Sequence, residues 1–278
     1  MRYGFVLPGG TAAEQLEQAV LADQAGWDGV FVWEAAYGVD AWALLAAMAV
    51  RTTRVRLGTM LTPLPWRRPW KVAGQAVTLD QLSGGRAILS VGLGAVDAAL
   101  GDTGEETGRR VRAERLDEGI DLIAGLWEGR RRFAGRHYRI DLEPRGDLDL
   151  VGTPVQRPRI PIWVAGAWPR PGPLRRAARF NGSTPLKLDP DGELVPLDPD
   201  DVHGLLEAVR GHRGSGAPFD VLVGGTTPED PGAARDMLEP LAEAGCTWWL
   251  ETRWELPYDS PERLRETRER LEAGPPRV

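Results

Sequence analysis

The chain has few of the residues that metal and disulfide sites require. Its 278 residues include one cysteine and three histidines. The single Cys246 excludes an internal disulfide framework and suits a reducing cytoplasm. Because Cys246 opens an apolar strand, we expect an inert core thiol. His137, His203 and His212 are scattered and match no zinc-ligand spacing, so the sequence predicts no metal site.

Long apolar runs and an excess of positive charge are also lacking. No stretch approaches the roughly 18 apolar residues that a membrane span needs, and the N-terminus enters a predicted strand without the pattern of a signal peptide. The 34 basic and 40 acidic residues are intermixed and give a net charge of −6, unlike a nucleic-acid-binding surface. We therefore expect a cytoplasmic protein that binds neither membranes nor nucleic acid.

Residues 54–94 carry the most informative pattern in the chain. An apolar strand is predicted over 54–61, a rim loop over 62–69, a helix over 70–82, a Gly84-Gly85 turn, and a second strand over 86–91. Two parallel strands joined by a helix form a βαβ unit, whose sheet must be covered on both faces.

The same alternation continues along the whole sequence. Strands are predicted over 3–7, 28–33, 54–61, 86–91, 160–165, 180–184, 219–223 and 247–251, with helices between them. Eight such units predict an α/β fold, a (β/α)8 TIM barrel that occupies residues 1–278 as a single domain. Rim loops are expected near 95–108 and 185–200.

A doubly wound open sheet is the alternative architecture. Gly92-Leu93-Gly94 after the fourth strand could begin a nucleotide-binding loop. However, Asp97 stands where the third glycine of that motif belongs, and an isolated pair of glycines is weak support. The barrel is therefore the favoured prediction.

Several motifs together resemble the bacterial-luciferase-like monooxygenase family, whose members use flavin or the deazaflavin coenzyme F420. The resemblance lies in residues 25–34, 53–59, 79–86 with 91–94, 115–119 with 126–127, 159–166 and 177–182. It covers residues 1–185 well and the remainder loosely. It implies a (β/α)8 barrel, an oxidoreductase activity on a small organic substrate, FMN or F420 as cofactor, and a homodimer built from early helices.

The family's cofactor lies at the carboxyl ends of the strands, where barrel active sites lie in general. The resemblance therefore implies cofactor-binding residues at the ends of strands three, four and five, with aromatic residues at the rim as substrate-binding candidates. The cofactor-binding candidates are Leu61, Thr62, Gly92, Gly94, Ala165 and Gly166, and the substrate-binding candidates are Trp33, Trp66 and Trp254. A phosphate could bind either at the turns after these strands or at Gly224-Gly225-Thr226.

One position departs from the family pattern. Many relatives carry a histidine after the acidic residue that closes strand two, whereas here Glu34 is followed by Ala35. Either the cofactor supplies the chemistry while the protein orients the reactants, or Glu34 acts as a catalytic acid or base if burial raises its pKa. An ion pair between Glu34 and a rim arginine is the structural alternative.

Two other functions are compatible with a barrel. A hydrolase could use Glu34 and Glu251, which end strands two and eight, as the two carboxylates that cleave a glycoside. A non-catalytic flavin- or F420-binding barrel could result from the loss of the family histidine. The shared motifs favour the flavin- or F420-dependent oxidoreductase.

Overall fold

Eight parallel strands close into a barrel in this computed structural model, which describes residues 1–35, 38–95, 103–142, 152–213, 216–253 and 260–276. The ring strands are β1 (Arg2–Val6), β2 (Gly29–Val32), β3 (Arg56–Thr59), β5 (Ala87–Gly92), β8 (Ile162–Trp168), β9 (Gly182–Leu188), β11 (Asp220–Gly225) and β12 (Trp248–Glu251). They follow one another around the ring in this order, and β12 pairs with β1. This closure confirms the predicted barrel and shows that the open-sheet alternative is wrong.

Alternation along each strand divides the buried side chains into two layers. Residues pointing into the barrel form one apolar cluster: Val6, Phe31, Ile88, Trp163, Leu222, Trp248 and Leu250. The Trp163 ring lies 5.4 Å from the Phe31 ring and 5.2 Å from the Trp248 ring, measured between centroids. Residues of opposite parity, such as Val30 and Val32, pack outward against the helices. The barrel interior is therefore a packed core, and a ligand site must lie above it.

Side-chain caps begin several of the helices. Asp40 caps α2 (Ala41–Arg51) by accepting a hydrogen bond from the Ala43 amide, and Thr11 with Glu14 forms a capping box before α1 (Ala12–Ala25). The helices are α1 (Ala12–Ala25), α2 (Ala41–Arg51), α3 (Pro69–Leu82), α4 (Arg109–Trp127), α5 (Pro171–Ala177), α6 (Pro199–Arg210), α7 (Pro231–Glu243) and α8 (Pro261–Glu272). Within the described ranges, no helix combines the length and apolar character that a membrane crossing requires.

Within the described residues, four short strands lie outside the ring. Two of them, β6 (Arg132–Ala134) and β7 (Arg139–Asp141), form an antiparallel hairpin. Strand β4 (Thr62–Pro63) pairs with β5, and a 3-10 turn at Leu64–Trp66 follows it.

The segment 185–200 is more regular than the expected rim loop. Its first residues are the second half of β9, which runs seven residues instead of the five predicted over 180–184. Strand β10 (Leu194–Val195) pairs antiparallel with β9, and α6 begins at Pro199. In the other expected rim loop, residues 103–108 carry no helix or strand, and 96–102 lie outside the described residues.

Candidate functional site

Three of the expected cofactor residues converge on the inner face at the carboxyl ends of the strands. A Cβ atom added to Gly92 would lie 2.8 Å from Leu61 Cδ2 and 3.4 Å from Ala165 Cβ. Leu61, Gly92 and Ala165 therefore surround one position where the backbone of β5 carries no side chain. We call this position the rim slot. A flat group can approach the backbone closely where a glycine replaces a larger residue.

Four inner-facing residues lie beside the rim slot, and of these only Trp33 is expected from the sequence. Met60 and Trp33 are half-buried above the barrel core. The Ser90 hydroxyl lies 3.7 Å from Met60 Sδ, and the Thr184 hydroxyl lies 4.0 Å from the same atom. Strand parity could have found Ser90 and Thr184, because Ile88 and Gly92 flank Ser90 on the inner face. The floor of the site is thus apolar, with two hydroxyl groups beside a thioether.

The other three expected cofactor residues face away from the rim slot. Thr62 is buried and bonds to Glu34 and Thr59. The backbone of Gly94 lies under Trp66, and a side chain there would overlap the indole and Pro63. Gly166 packs outward against Pro173 at the start of α5. These positions shape the rim, whereas Leu61, Gly92 and Ala165 line the slot itself.

Glu34 lies in a buried network on the outer side of the strands. Its Oε2 accepts hydrogen bonds from the Thr62 hydroxyl at 2.5 Å and from the Trp42 indole N–H at 3.0 Å. Its Oε1 lies 2.8 Å from Arg67 Nη1, and the side chain is only 5% exposed. The Thr62 and Thr59 hydroxyls are 2.9 Å apart. The network connects β2 and α2 with the segment that carries Leu61.

The pKa of Glu34 reflects a competition between burial and these partners. Burial raises the pKa above its ordinary value and outweighs Arg67, Thr62 and Trp42, which lower it. The structure thus has both features considered from the sequence, a raised pKa and an ion pair with a rim arginine. The described contacts of the carboxylate are with the outer layer, and the side chain has the opposite parity to the inward-facing Trp33.

Trp66 forms part of the frame of the rim. Its indole N–H donates to the Glu106 carbonyl at 2.9 Å, and the Arg112 guanidinium lies 5.4 Å from its ring centroid. The same guanidinium donates to the Leu93 and Gly94 carbonyls, each at 3.0 Å. Trp66 therefore connects the loop before α4 to the end of β5. Trp254, the third substrate-binding candidate, lies outside the described residues.

Glu251 does not pair with Glu34 across the barrel mouth. It is fully buried on the outward face of β12, where Thr227 and Trp249 donate hydrogen bonds to it. Arg253 and Arg270 lie 3.4 Å from its Oε1. The hydrolase alternative requires both carboxylates on one substrate. The structure contradicts that arrangement because both face the outer layer.

Two remaining sequence features have structural roles. Cys246 is buried, and burial raises the pKa of its thiol to about 11, as expected for an inert core cysteine. In the Gly224-Gly225-Thr226 turn, Gly225 packs against the Trp249 ring and the Thr226 hydroxyl donates to the Thr252 carbonyl.

The sequence matches a known family over most of its barrel. The profile of luciferase-like monooxygenases matches residues 2–181. The 4-hydroxyprotoasukamycin monooxygenase of Streptomyces nodosus subsp. asukaensis is 38% identical over 186 residues, 65% of this chain and 48% of that protein. An F420-dependent glucose-6-phosphate dehydrogenase of Intrasporangium calvum is 35% identical over 182 residues, 61% of this chain and 51% of that protein. The chain thus spans about half the length of these relatives.

The whole barrel also resembles solved structures. The oxygenating constituent of 3,6-diketocamphane monooxygenase from Pseudomonas putida, a type II Baeyer–Villiger monooxygenase in complex with FMN, superposes with a TM-score of 0.73. The alignment covers 98% of this chain and 96% of that one at 18% sequence identity. At this identity the likeness concerns the fold, which extends through the C-terminal third that the family profile does not match.

Proposed function

The chain belongs to the luciferase-like monooxygenase family, and from this premise we propose that it is a flavin- or F420-dependent oxidoreductase acting on a small organic substrate. The observation that carries the proposal is the rim slot, where Leu61 and Ala165 flank a glycine at the end of β5. The relative named an F420-dependent glucose-6-phosphate dehydrogenase supports the F420 alternative, and the relative named a monooxygenase supports an oxidoreductase activity.

The rim slot fits the edge of a planar ring. A side chain at Gly92 would fill the space against Leu61 and Ala165, so the missing Cβ keeps the backbone accessible. Leu61 and Ala165 supply apolar contacts, and Ser90 and Thr184 supply hydroxyl groups at the floor. Flat heterocycles bind in sites of this kind, mostly apolar with a few placed polar groups. The bound flavin or deazaflavin would supply the hydride or oxygen chemistry.

We assign Glu34 a positioning role. Its Oε2 holds Thr62, the residue after Leu61, and Thr62 in turn contacts Thr59. Arg67 neutralises the carboxylate on the side away from Thr62. Glu34 would thus fix the segment that presents Leu61 to the ring, and the protein would contribute orientation and exclusion of water.

Cofactor titration tests the proposal directly. Purified protein is titrated with FMN, with reduced FMN and with F420 while ring absorption or fluorescence is recorded. Saturable binding of one cofactor supports the proposal, and binding of none at about 100 µM, well within the range of enzyme affinities, rejects it. Turnover against aldehyde, alcohol and ketone panels then separates an enzyme from a non-catalytic cofactor-binding barrel.

The Gly92→Val substitution should weaken cofactor binding while leaving the fold intact. The branched side chain would occupy the slot and displace Leu61, so we expect the cofactor Kd to rise at least about tenfold, or 1.4 kcal/mol. Gly74→Ala is the control, because a Cβ there meets no atom within 4 Å and Ala is favourable in a helix. Equal affinities of the two variants, with unchanged circular dichroism, would contradict the slot assignment.

We also propose that two copies associate through α2. Its outward face carries small apolar residues at helical spacing, namely Ala43, Ala46, Ala47 and Val50. Solvent-facing helix surfaces usually carry polar residues, so this face favours burial against a partner. The homodimer expected from the family resemblance would use it.

A further inference from the structure

Strands β8 and β9 continue beyond the level at which the rim slot lies. They pair over six residues without interruption, from Trp163 with Gly182 to Trp168 with Lys187. Strand β10 adds to β9 through the pairs Leu194 with Leu188 and Val195 with Lys187. These three extensions form a small sheet above the barrel mouth, which we call the rim wall: residues 166–168, 185–188 and 194–195.

The outer face of the rim wall is fixed to α6 by polar contacts. The Trp168 indole N–H donates to Asp201 at 2.9 Å, and Lys187 Nζ lies 3.1 Å from Asp198 and 2.5 Å from Asp201. Trp168 also packs over Gly204. The contacts with α6 and its N-cap therefore fix the orientation of the wall from its outer side.

The inner face of the rim wall is apolar and exposed. Trp163 points into the barrel, so alternation places Ala165 and Ala167 on the same side. Their registered partners are Thr184 and Leu186, and Leu188 follows at the next inward position. Leu194 shares this face because it pairs directly with Leu188. Leu186, Leu188 and Leu194 are all exposed, although side chains of this type are usually buried.

This apolar face continues the lining of the rim slot without a break. Ala165 belongs to the slot and Thr184 to its floor, and Ala167, Leu186 and Leu188 follow on the same faces of the same strands. At about 3.3 Å per residue, the wall rises roughly 13 Å from Thr184 to Leu188. A molecule that reaches the slot with one end can therefore lie along the wall with the rest.

We propose that the rim wall binds the apolar body of the substrate, so that Leu186, Leu188 and Leu194 determine specificity for substrates with an extended hydrocarbon chain or ring system. The inference rests on the proposed function, because it assigns the reacting end of the substrate to the rim slot. We assign a substrate to the wall rather than another occupant, because the inner face of the wall is continuous with the rim slot. A substrate whose reacting end lies in the slot would also contact the wall. The contacts with Asp198 and α6 hold the wall from its outer face and leave the three leucines of its inner face exposed.

A homologous series of ligands tests the wall. Affinities of 2-alkanones from 2-hexanone to 2-decanone are measured by displacement of N-phenyl-1-naphthylamine, a neutral fluorophore, from wild type, Leu186→Gln and Leu188→Gln. Leu82→Gln is the matched control, since Leu82 is 46% exposed and Leu188 is 47% exposed. Wild type and the control should gain up to about fourfold in affinity per methylene. The two wall variants should gain markedly less and bind the fluorophore about fivefold more weakly.

The remaining outcomes overturn the inference. Equal chain-length dependence in all four proteins, or no fluorophore binding by wild type, would show that the wall does not bind apolar ligands. If Leu188→Gln alone changed the molar mass, the inner face of the wall would be a contact between copies of the chain.

FMN and F420 titrations of the same variants separate this inference from the proposed function. Chain-length dependence without binding of any cofactor would reject the proposed function and retain the apolar site.

Discussion

Burial and charge pairing act in opposite directions on the Glu34 carboxylate. A carboxylate removed from water becomes harder to ionise, while a nearby guanidinium favours the charged form. At Glu34 burial has the larger effect, so its pKa is raised despite the contact with Arg67. The charged form is therefore less favourable in the folded chain than in the unfolded chain.

The Glu34→Gln substitution should change the pH dependence of stability in a defined direction. Because the folded pKa exceeds the ordinary value of 4.5, the contribution of Glu34 is fully present below pH 4.5. It is lost as pH rises through the folded pKa. Glutamine keeps an acceptor for Thr62 and Trp42 but does not titrate. The free energy of unfolding of wild type minus that of the variant should therefore decrease from pH 4 to pH 7, as measured by urea denaturation.

Glu114→Gln provides a control with the opposite sign. Hydrogen bonding to His137 lowers the pKa of Glu114, so the corresponding difference should increase as pH rises. A Glu34 difference that also increases with pH would show that Arg67 outweighs burial and would contradict the pKa direction. Cofactor affinity of Glu34→Gln, measured at pH 7, reports separately on the positioning of Leu61.

The sequence predicts that Glu34 could pair with a rim arginine, but it does not predict the hydrogen bonds to Thr62 and Trp42. An acidic residue at a strand end beside a rim loop with Arg67 and Arg68 suggests an ion pair, and this pair was considered. The Thr62 hydroxyl bonds to Glu34 on the outer side, although strict alternation from the inward-facing Met60 would place it inside the barrel. That local geometry has no signature in hydrophobic periodicity, so the sequence does not predict which way Thr62 points.

At the scale of elements, β9 shows how proline can mislead a strand prediction. Pro185 and the polar residues that follow it favour a loop. In the structure β9 pairs with β11 at Gly182 and Ser183 and with β10 at Lys187 and Leu188, so residues 184–186 between them have an unpaired edge on that side. Proline is tolerated in such edge segments because no partner needs its missing N–H. The rim wall was therefore not predictable from local sequence alone.

Arg112 should be important for the loop that joins β5 to α4. It is buried, donates to the Leu93 and Gly94 carbonyls and lies over Trp66. Arg112→Met would leave both carbonyls without this partner, and charged hydrogen bonds contribute about 1.5–3 kcal/mol each. We expect a loss of about 3 kcal/mol in the free energy of unfolding by urea denaturation, together with weaker cofactor binding.

Arg110→Met is the matched control on the same helix. Arg110 is exposed and pairs with Glu114 at one turn's spacing, so its loss should change stability by no more than about 0.5 kcal/mol. If both variants lost equal stability, Arg112 would not hold the rim in the manner described. Retained cofactor affinity in Arg112→Met would further show that the end of β5 is fixed by other contacts.

At the scale of the whole molecule, the barrel was the most predictable feature. Runs such as Val30-Phe31-Val32-Trp33 are apolar at every position because one side chain enters the core and the next packs under a helix. Repeated eight times with helices between, this pattern leaves few topologies. The association of whole molecules has no such periodic signal in the sequence, because it depends on which outward faces of the folded chain are apolar.

The outward face of α2 provides the test of assembly. Val50 is 62% exposed and lies one turn beyond Ala46 and Ala47, at the carboxyl end of α2 beside the exposed Arg51. A stable interface buries about 1,200–2,000 Å² in total, and a lysine in its centre would lose hydration without a partner. Val50→Lys should therefore reduce the molar mass from dimer to monomer in light scattering at about 10 µM, whereas Val155→Lys, at another exposed valine, should leave it unchanged. A dimeric Val50→Lys variant would show that the copies do not associate through α2. A monomeric wild type would show that the chain does not form the proposed dimer.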